Sequence, residues 1–210
     1  MANSRLVQYR LAEKHLSAVH PVLAQLIERV GPCTMQQRKN LFEALIGTVI
    51  SQQISTKAAK SMADKLRALF DTLPIMPAAM LKIRDRQLRA CGLSRAKRKT
   101  IVNLARLIDK GELDLRKLKQ ADDETVSAML LPIHGIGPWS VDMILLFSLG
   151  RMDVLPVGDF GFRAAVRDEF GLTKLPSPSE LETMSEPWRP YRSIATWYSW
   201  RSRGPVPQSK

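Results

Sequence analysis

Two glycines flank a single isoleucine at Gly135-Ile136-Gly137, between two stretches of helical apolar periodicity, and this triplet constrains the fold more than any other feature. Leu131-Pro132 closes the first stretch. Pro138 opens the second, which carries Trp139, Met143, Ile144 and Phe147. Proline at a first helical position lacks only an amide that has no intrahelical acceptor, and glycine accepts the positive φ that a tight turn demands. The reading is two helices joined by a hairpin. The amides of Gly135, Gly137 and Trp139 then lie at a helix N-terminus, where unpaired N–H groups and the helix dipole attract an anion. Such a contact grips phosphate and positions the protein without reading sequence. The carbonyls of Leu131, Ile133 and Ile136 are candidates to hold a sodium or potassium ion beside that phosphate. The competing reading is an ordinary helical corner whose glycines serve packing alone.

The remaining pattern is also helical. Leu41, Phe42, Leu45, Ile46, Val49 and Ile50 mark one buried face, interrupted by the polar Ser51-Gln52-Gln53-Ile54-Ser55. Ala59, Met62, Leu66 and Leu69 mark the next. Ser94 is expected to cap a helix carrying Ile101, Leu104, Ala105 and Ile108 that closes at Gly111. Asp122 or Asp123 caps the helix leading to Leu131, and Ser177-Pro178-Ser179-Glu180 reads as a capping box. Phe162, Ala165, Val166 and Phe170 form a further face, and a last helix is expected from near Pro190. No alternating strand is visible, so the class is all-α. The tail 204–210 is expected to fray.

The 210 residues include 32 Lys and Arg against 20 Asp and Glu, a net charge of +12. That excess favours a polyanionic partner, nucleic acid ahead of a membrane surface. No apolar run approaches spanning length, and no secretory signal is visible at the N-terminus, so a cytoplasmic location is expected. Cys33 and Cys91 are too few for a four-cysteine zinc site or cluster. They read as reduced, partly buried thiols. His15, His20 and His134 show no ligand spacing.

Beyond the hairpin, Asp159 sits in the loop Pro156-Val157-Gly158-Asp159-Phe160-Gly161, just ahead of a helix. A phosphate-gripping hairpin followed by an acid suggests chemistry on a nucleotide. A lone Asp before a helix is also an N-cap, and the two roles are compatible. Asp142 and Asp153 are the competing acids. The run Ser94-Arg95-Ala96-Lys97-Arg98-Lys99 is either a phosphate contact or a solvated face.

These residues resemble the helix-hairpin-helix DNA glycosylase superfamily, and within it the bacterial 3-methyladenine DNA glycosylase II group in a compact form. Five segments carry the resemblance, in the family's order: 51–59, with Gln52-Gln53-Ile54-Ser55; Cys91-Gly92-Leu93-Ser94 through Lys97; the hairpin, Leu130 to Trp139; Val157-Gly158-Asp159; and the aromatic segment from Trp188 to Arg201. The match spans roughly 20–203. It leaves no room for the N-terminal sheet domain of larger members. It implies two helical lobes with a cleft between them: a central lobe over 36–144 with the hairpin, and a second lobe from 1–35 plus 145–210 with the acid loop.

The resemblance implies that a nucleotide is rotated out of duplex DNA. Gln53 fills the gap, with Ile54 the nearby alternative. A purely structural role for both glutamines, capping helix ends, stays open. Asp159 faces the sugar as the N-glycosidic bond breaks, stabilising oxocarbenium-like charge. Relatives that also cut the backbone carry a lysine where Trp139 stands, and tryptophan forms no Schiff base. The expected reaction therefore stops at base removal. Trp139, Met143, Phe160 and Trp200 are candidates to line the base pocket, where ring faces attract a base made cationic by methylation. Trp188, Tyr191 and Trp197 read as core. Double-stranded DNA with alkylated bases is the expected partner, with no membrane, a monomeric state and no required cofactor. A non-catalytic DNA-binding or damage-sensing protein is the alternative, and deaminated or mismatched bases are a third reading.

Overall fold

The computed structural model describes residues 2–71 and 74–204, so most of the tail expected to fray lies outside the described residues. Among the described residues there are thirteen α-helices and no strand. They are α1 (Ala2–Val19), α2 (Pro21–Val30), α3 (Leu41–Ser51), α4 (Thr56–Arg67), α5 (Pro77–Leu81), α6 (Asp85–Ala90), α7 (Arg95–Asp109), α8 (Leu115–Gln120), α9 (Asp123–Leu130), α10 (Pro138–Ile144), α11 (Phe160–Glu169), α12 (Pro178–Ser185) and α13 (Arg192–Ser202). None is long and apolar enough to cross a membrane.

Side-chain caps set the boundaries. Ser94 Oγ accepts the Lys97 amide at 3.3 Å, and Asp122 Oδ1 accepts that of Thr125 at 2.8 Å. Ser177 and Glu180 form the reciprocal capping box. Each cap satisfies a donor that the helix cannot, a contribution of about 1 kcal/mol. Gly137 caps α10 with Pro138 at its first position. The last helix begins at Arg192, near the expected Pro190, after a separate 3-10 turn over Glu186–Trp188.

The chain forms two compact units, Arg38–Leu149 and Met1–Gln37 with Gly150–Lys210. The central unit was expected to end at 144. It runs on because α10 passes directly into a π turn, Leu145–Leu149, whose Leu145, Leu146, Phe147 and Ser148 are buried. The Arg38 amide donates to Phe147 O at 2.7 Å, joining the two ends of this unit.

In the central unit, α3 packs against α4, α7 and α10. Leu45, Ile50, Leu66, Met80, Leu88 and Ile101 are fully buried there, each contributing about 1.5–3 kcal/mol on leaving water. In the other unit, α13 packs against α11 and α2 around Trp188, Tyr198, Phe162, Leu16, Leu23 and Leu26. The expected core role of Trp188 and Trp197 agrees with their burial, whereas Tyr191 is half-exposed. Cys33 and Cys91 are both free and buried, and burial pushes the Cys33 thiol up to about 12.

Candidate nucleic-acid interface and acid loop

The hairpin between α9 and α10 is built on two buried isoleucines. Ile133 N donates to Leu130 O at 3.1 Å, and Ile136 N to Ile133 O at 2.9 Å. Gly135 adopts φ +87°, and a Cβ there would collide with Thr100 Oγ1 on α7. The two glycines differ: Gly137 has extended backbone (φ −117°, ψ 178°) and open space where a Cβ would stand. Packing therefore requires glycine only at 135, and at 137 its absence of a side chain leaves the backbone open. Among the described residues, the Gly135 and Gly137 amides donate to no backbone carbonyl outside the helices. His134 is exposed and lines a cavity of about 560 Å³ with Lys99, Asn103 and Arg106.

The loop between α3 and α4 lies against this hairpin. Gln52 Nε2 donates to Gly135 O at 2.9 Å and to Ser140 Oγ at 2.9 Å. Lys97 Nζ donates to Ile50 O at 2.7 Å and Gln52 O at 2.9 Å, closing the C-terminus of α3. Gln53 is exposed and takes φ +56°, the only left-handed non-glycine among the described residues. That conformation costs about 1–2 kcal/mol in an L-residue. A hydrogen bond from a charged donor contributes about 1.5–3 kcal/mol, so the two from Lys97 outweigh it. Ile54, the alternative wedge, is half-buried.

The basic run on α7 is only partly open. Lys97 is engaged as above, and burial pulls its pKa down. Arg98 Nε binds Asp85 Oδ1 at 2.7 Å and its Nη1 binds Leu93 O at 2.8 Å. Neither a phosphate contact nor a solvated face, the two readings left open for this run, describes these two, because internal carbonyls and a carboxylate hold them. Arg95 and Lys99 remain exposed.

In the other unit, Asp159 is half-buried as the N-cap of α11. Its Oδ1 accepts the Phe162 amide at 2.6 Å and the Trp200 indole N–H at 3.0 Å. Gly161 makes room for this arrangement: a Cβ there would stand 3.2 Å from Asp159 Oδ1 and 3.7 Å from Trp200 Nε1. Phe160 is 69% exposed at the first position of α11. Of the other acids, Asp153 is clasped by Arg192, with bonds of 2.7 and 2.9 Å, and by Arg189 at 2.6 Å. It latches the start of α13 and is already neutralised. Asp142 is half-buried on α10.

Of the candidate pocket residues, Trp139 is half-buried and Met143 only 6% exposed, both in the central unit, whereas Phe160 and Trp200 belong to the other. Trp200 has its indole N–H committed to the acid. The sequence reading missed Lys97 and Gln52 as loop clamps. The Gly-Leu-Ser-x-x-Lys and Gln-Gln patterns marked their positions, but nothing in them indicated which carbonyls they meet.

A hairpin with open amides and an acid capping a helix define a class, and comparison with known proteins identifies it. Residues 46–190 match the HhH-GPD superfamily of base excision DNA repair proteins, and the chain belongs to that family. It is 30% identical over 199 residues to an alkylbase DNA glycosidase-like protein of Schizosaccharomyces pombe, covering 92% of this chain and 93% of that one. It is 31% identical over 196 residues to DNA-3-methyladenine glycosylase 1 of the same yeast, covering 91% and 86%. Among solved structures, the 3-methyladenine DNA glycosylase of S. pombe in complex with abasic DNA superposes with a TM-score of 0.85 at 30% identity, over 95% of this chain and 99% of that one. A DNA-3-methyladenine glycosidase from Bacillus halodurans gives 0.77 at 31% identity, over 92% and 89%.

Proposed function

We propose that this protein is a DNA glycosylase that excises alkylated purines, of the 3-methyladenine and 7-methylguanine type, and leaves an abasic site. The observation that carries the reading is the Asp159 carboxylate, held by the Phe162 amide and the Trp200 indole at the mouth of α11. The relatives named as 3-methyladenine glycosylases support the substrate class.

DNA binds through its backbone. The open amides at Gly135 and Gly137, with Trp139 opening α10, receive a phosphate, and Lys99 and Arg106, which line one cavity with His134, add positive charge beside it. Gln53 enters the space left by the rotated nucleotide. The Leu131, Ile133 and Ile136 carbonyls would hold a sodium or potassium ion, which supplies charge next to that phosphate. Neutral carbonyl oxygens suit such an ion; that of Ile133 already accepts the Ile136 amide at 2.9 Å and would offer its second lone pair.

The glycosidic C–N bond breaks with its electron pair leaving on the base. A purine methylated at N3 or N7 carries a positive charge and departs neutral, so no general acid is needed. Positive charge develops on the deoxyribose, and the Asp159 carboxylate stabilises it electrostatically. Water then adds to the sugar carbon and loses its proton to Asp159 or solvent. Phe160, the exposed ring beside the acid, offers a π face to a cationic base. Because position 139 carries tryptophan and not an amine, no Schiff base forms and the strand stays intact. The protein acts as a monomer.

The test is incubation with methylated genomic DNA, followed by chromatography of the released bases and a nicking assay on the product. Free methylated purines with uncut strands are expected. DNA binding without any released base would leave a non-catalytic damage-binding protein.

A further inference from the structure

The loop carrying Gln53 is held from two sides by side chains that have no role in gripping DNA or breaking the bond. From below, the Lys97 ammonium donates to the Ile50 and Gln52 carbonyls, joining the first turn of α7 to the end of α3. From the side, the Gln52 amide reaches Gly135 O and Ser140 Oγ, joining the loop to the hairpin and to α10. Ser55 closes the far end by accepting the Ala58 amide at 3.2 Å, the N-cap of α4. Between these anchors Gln53 is exposed in a left-handed conformation. A non-glycine residue keeps such a conformation only where its surroundings over-determine it, and here the two flanking anchors are identified.

We propose that Lys97 and Gln52 are positioning residues that preset Gln53 for insertion into duplex DNA and tie its loop to the phosphate-gripping hairpin. The proposal rests on the reading of Gln53 as the residue that fills the vacated stack. A wedge that must order on contact loses conformational freedom at that moment, whereas a clamped one has lost it on folding. Because Gln52 bonds to the carbonyl of the very glycine whose amide faces the phosphate, hairpin and wedge move as one body. A single-stranded substrate has no opposite strand and no duplex gap to fill, and needs no wedge. The clamp therefore matters for duplex substrate alone, a requirement that separates it from general support of the fold.

The experiment compares excision of a single 7-methylguanine from duplex and single-stranded oligonucleotides. The ratio of the two rates is independent of the fraction of active protein, so partial misfolding does not disturb it. Gln53→Ala, Gln52→Ala, Lys97→Met and Lys97→Arg are compared with the unaltered protein. The expected result is a duplex-to-single-strand ratio lowered about tenfold or more by Gln53→Ala, Gln52→Ala and Lys97→Met. Lys97→Arg, which keeps a cationic donor for two carbonyls, restores most of the ratio. Joining Lys97→Met to Gln53→Ala adds no further loss, since both act through one side chain. A 2-aminopurine placed beside an abasic-site analogue reports unstacking as fluorescence, and the same variants dim it.

If Gln53→Ala lowers the ratio while Gln52→Ala and Lys97→Met do not, the clamp is refuted and the wedge stands. If Gln53→Ala itself leaves the ratio unchanged, the wedge reading fails and the clamp with it. Should Lys97→Met give no soluble protein, Gln52→Ala decides alone.

Discussion

The Trp200 indole N–H donates to Asp159 Oδ1 at 3.0 Å, while the same oxygen accepts the Phe162 amide at 2.6 Å. One donor comes from α13 and the other from the first turn of α11, so the carboxylate is oriented by two helices that pack on each other. A Cβ at Gly161 would crowd that oxygen at 3.2 Å and would meet the ring only at ordinary contact distance. Trp200, expected to line the base pocket, has its indole N–H on this carboxylate.

Removing that N–H, together with the five-membered ring that carries it, tests the arrangement. Trp200→Phe keeps an aromatic ring and loses the donor. A charge-assisted bond of this kind is worth about 1.5–3 kcal/mol, so kcat for base excision is expected to fall about tenfold to a hundredfold. Single-turnover kinetics on methylated duplex checks it. An unaltered kcat would show that the Phe162 amide alone suffices.

Asp159→Asn keeps an N-capping oxygen and removes the negative charge. Base release is expected to fall by at least about a hundredfold, with the melting temperature little changed because asparagine caps as well as aspartate. Quantified release from methylated DNA, beside a thermal melt, separates chemistry from stability.

The two hairpin glycines should part company. Gly135→Ala adds a methyl against Thr100 at positive φ, and a loss of several kcal/mol, at least about 2, is expected in a denaturant melt. Gly137→Ala meets open space, so stability is expected to hold while DNA affinity drops, because the methyl stands where we propose that phosphate approaches. Fluorescence anisotropy at two salt concentrations checks the second effect, the salt slope becoming shallower if a phosphate contact is lost. Equal destabilisation by both substitutions would contradict the structure.

Acid should unfold the protein through its exposed caps and ion pairs. Asp114 lies below its ordinary value of 3.8 because it accepts the Arg116 and Lys117 amides. Glu180 lies below 4.5 through its bonds to Ser177. Asp85 is lowered by the Arg98 bond and Asp168 by that of Arg167. A carboxylate with a depressed folded pKa binds fewer protons folded than unfolded, so its contribution is present above the unfolded value and lost as pH falls through the folded one. The melting temperature is expected to be flat near neutrality and to decline once pH drops below about 4.5. A melting temperature that rose on acidification through this range would contradict these assignments.

Local chemistry was legible in the chain. Ser94, the Asp122-Asp123 pair and Ser177 announced their helices because a cap bonds only to amides two or three residues away, and the structure chose Asp122 of the pair. The apolar faces of α3 and α7 followed from helical period, and Gly135-Ile136-Gly137 and Asp159 stood out by their neighbours. The tertiary structure decided what depends on segments far apart in the chain. Lys97 looked like one more surface cation until α3 brought the Ile50 and Gln52 carbonyls to it. Trp200 met Asp159 because α13 folds onto α11, a contact across 41 positions that no periodicity encodes. Gly135 and Gly137 looked equivalent in sequence and differ because only one faces Thr100. Capping and periodicity are short-range and written into neighbouring residues, whereas hydrogen-bond partners and steric necessity across helices exist only once packing has chosen which faces meet.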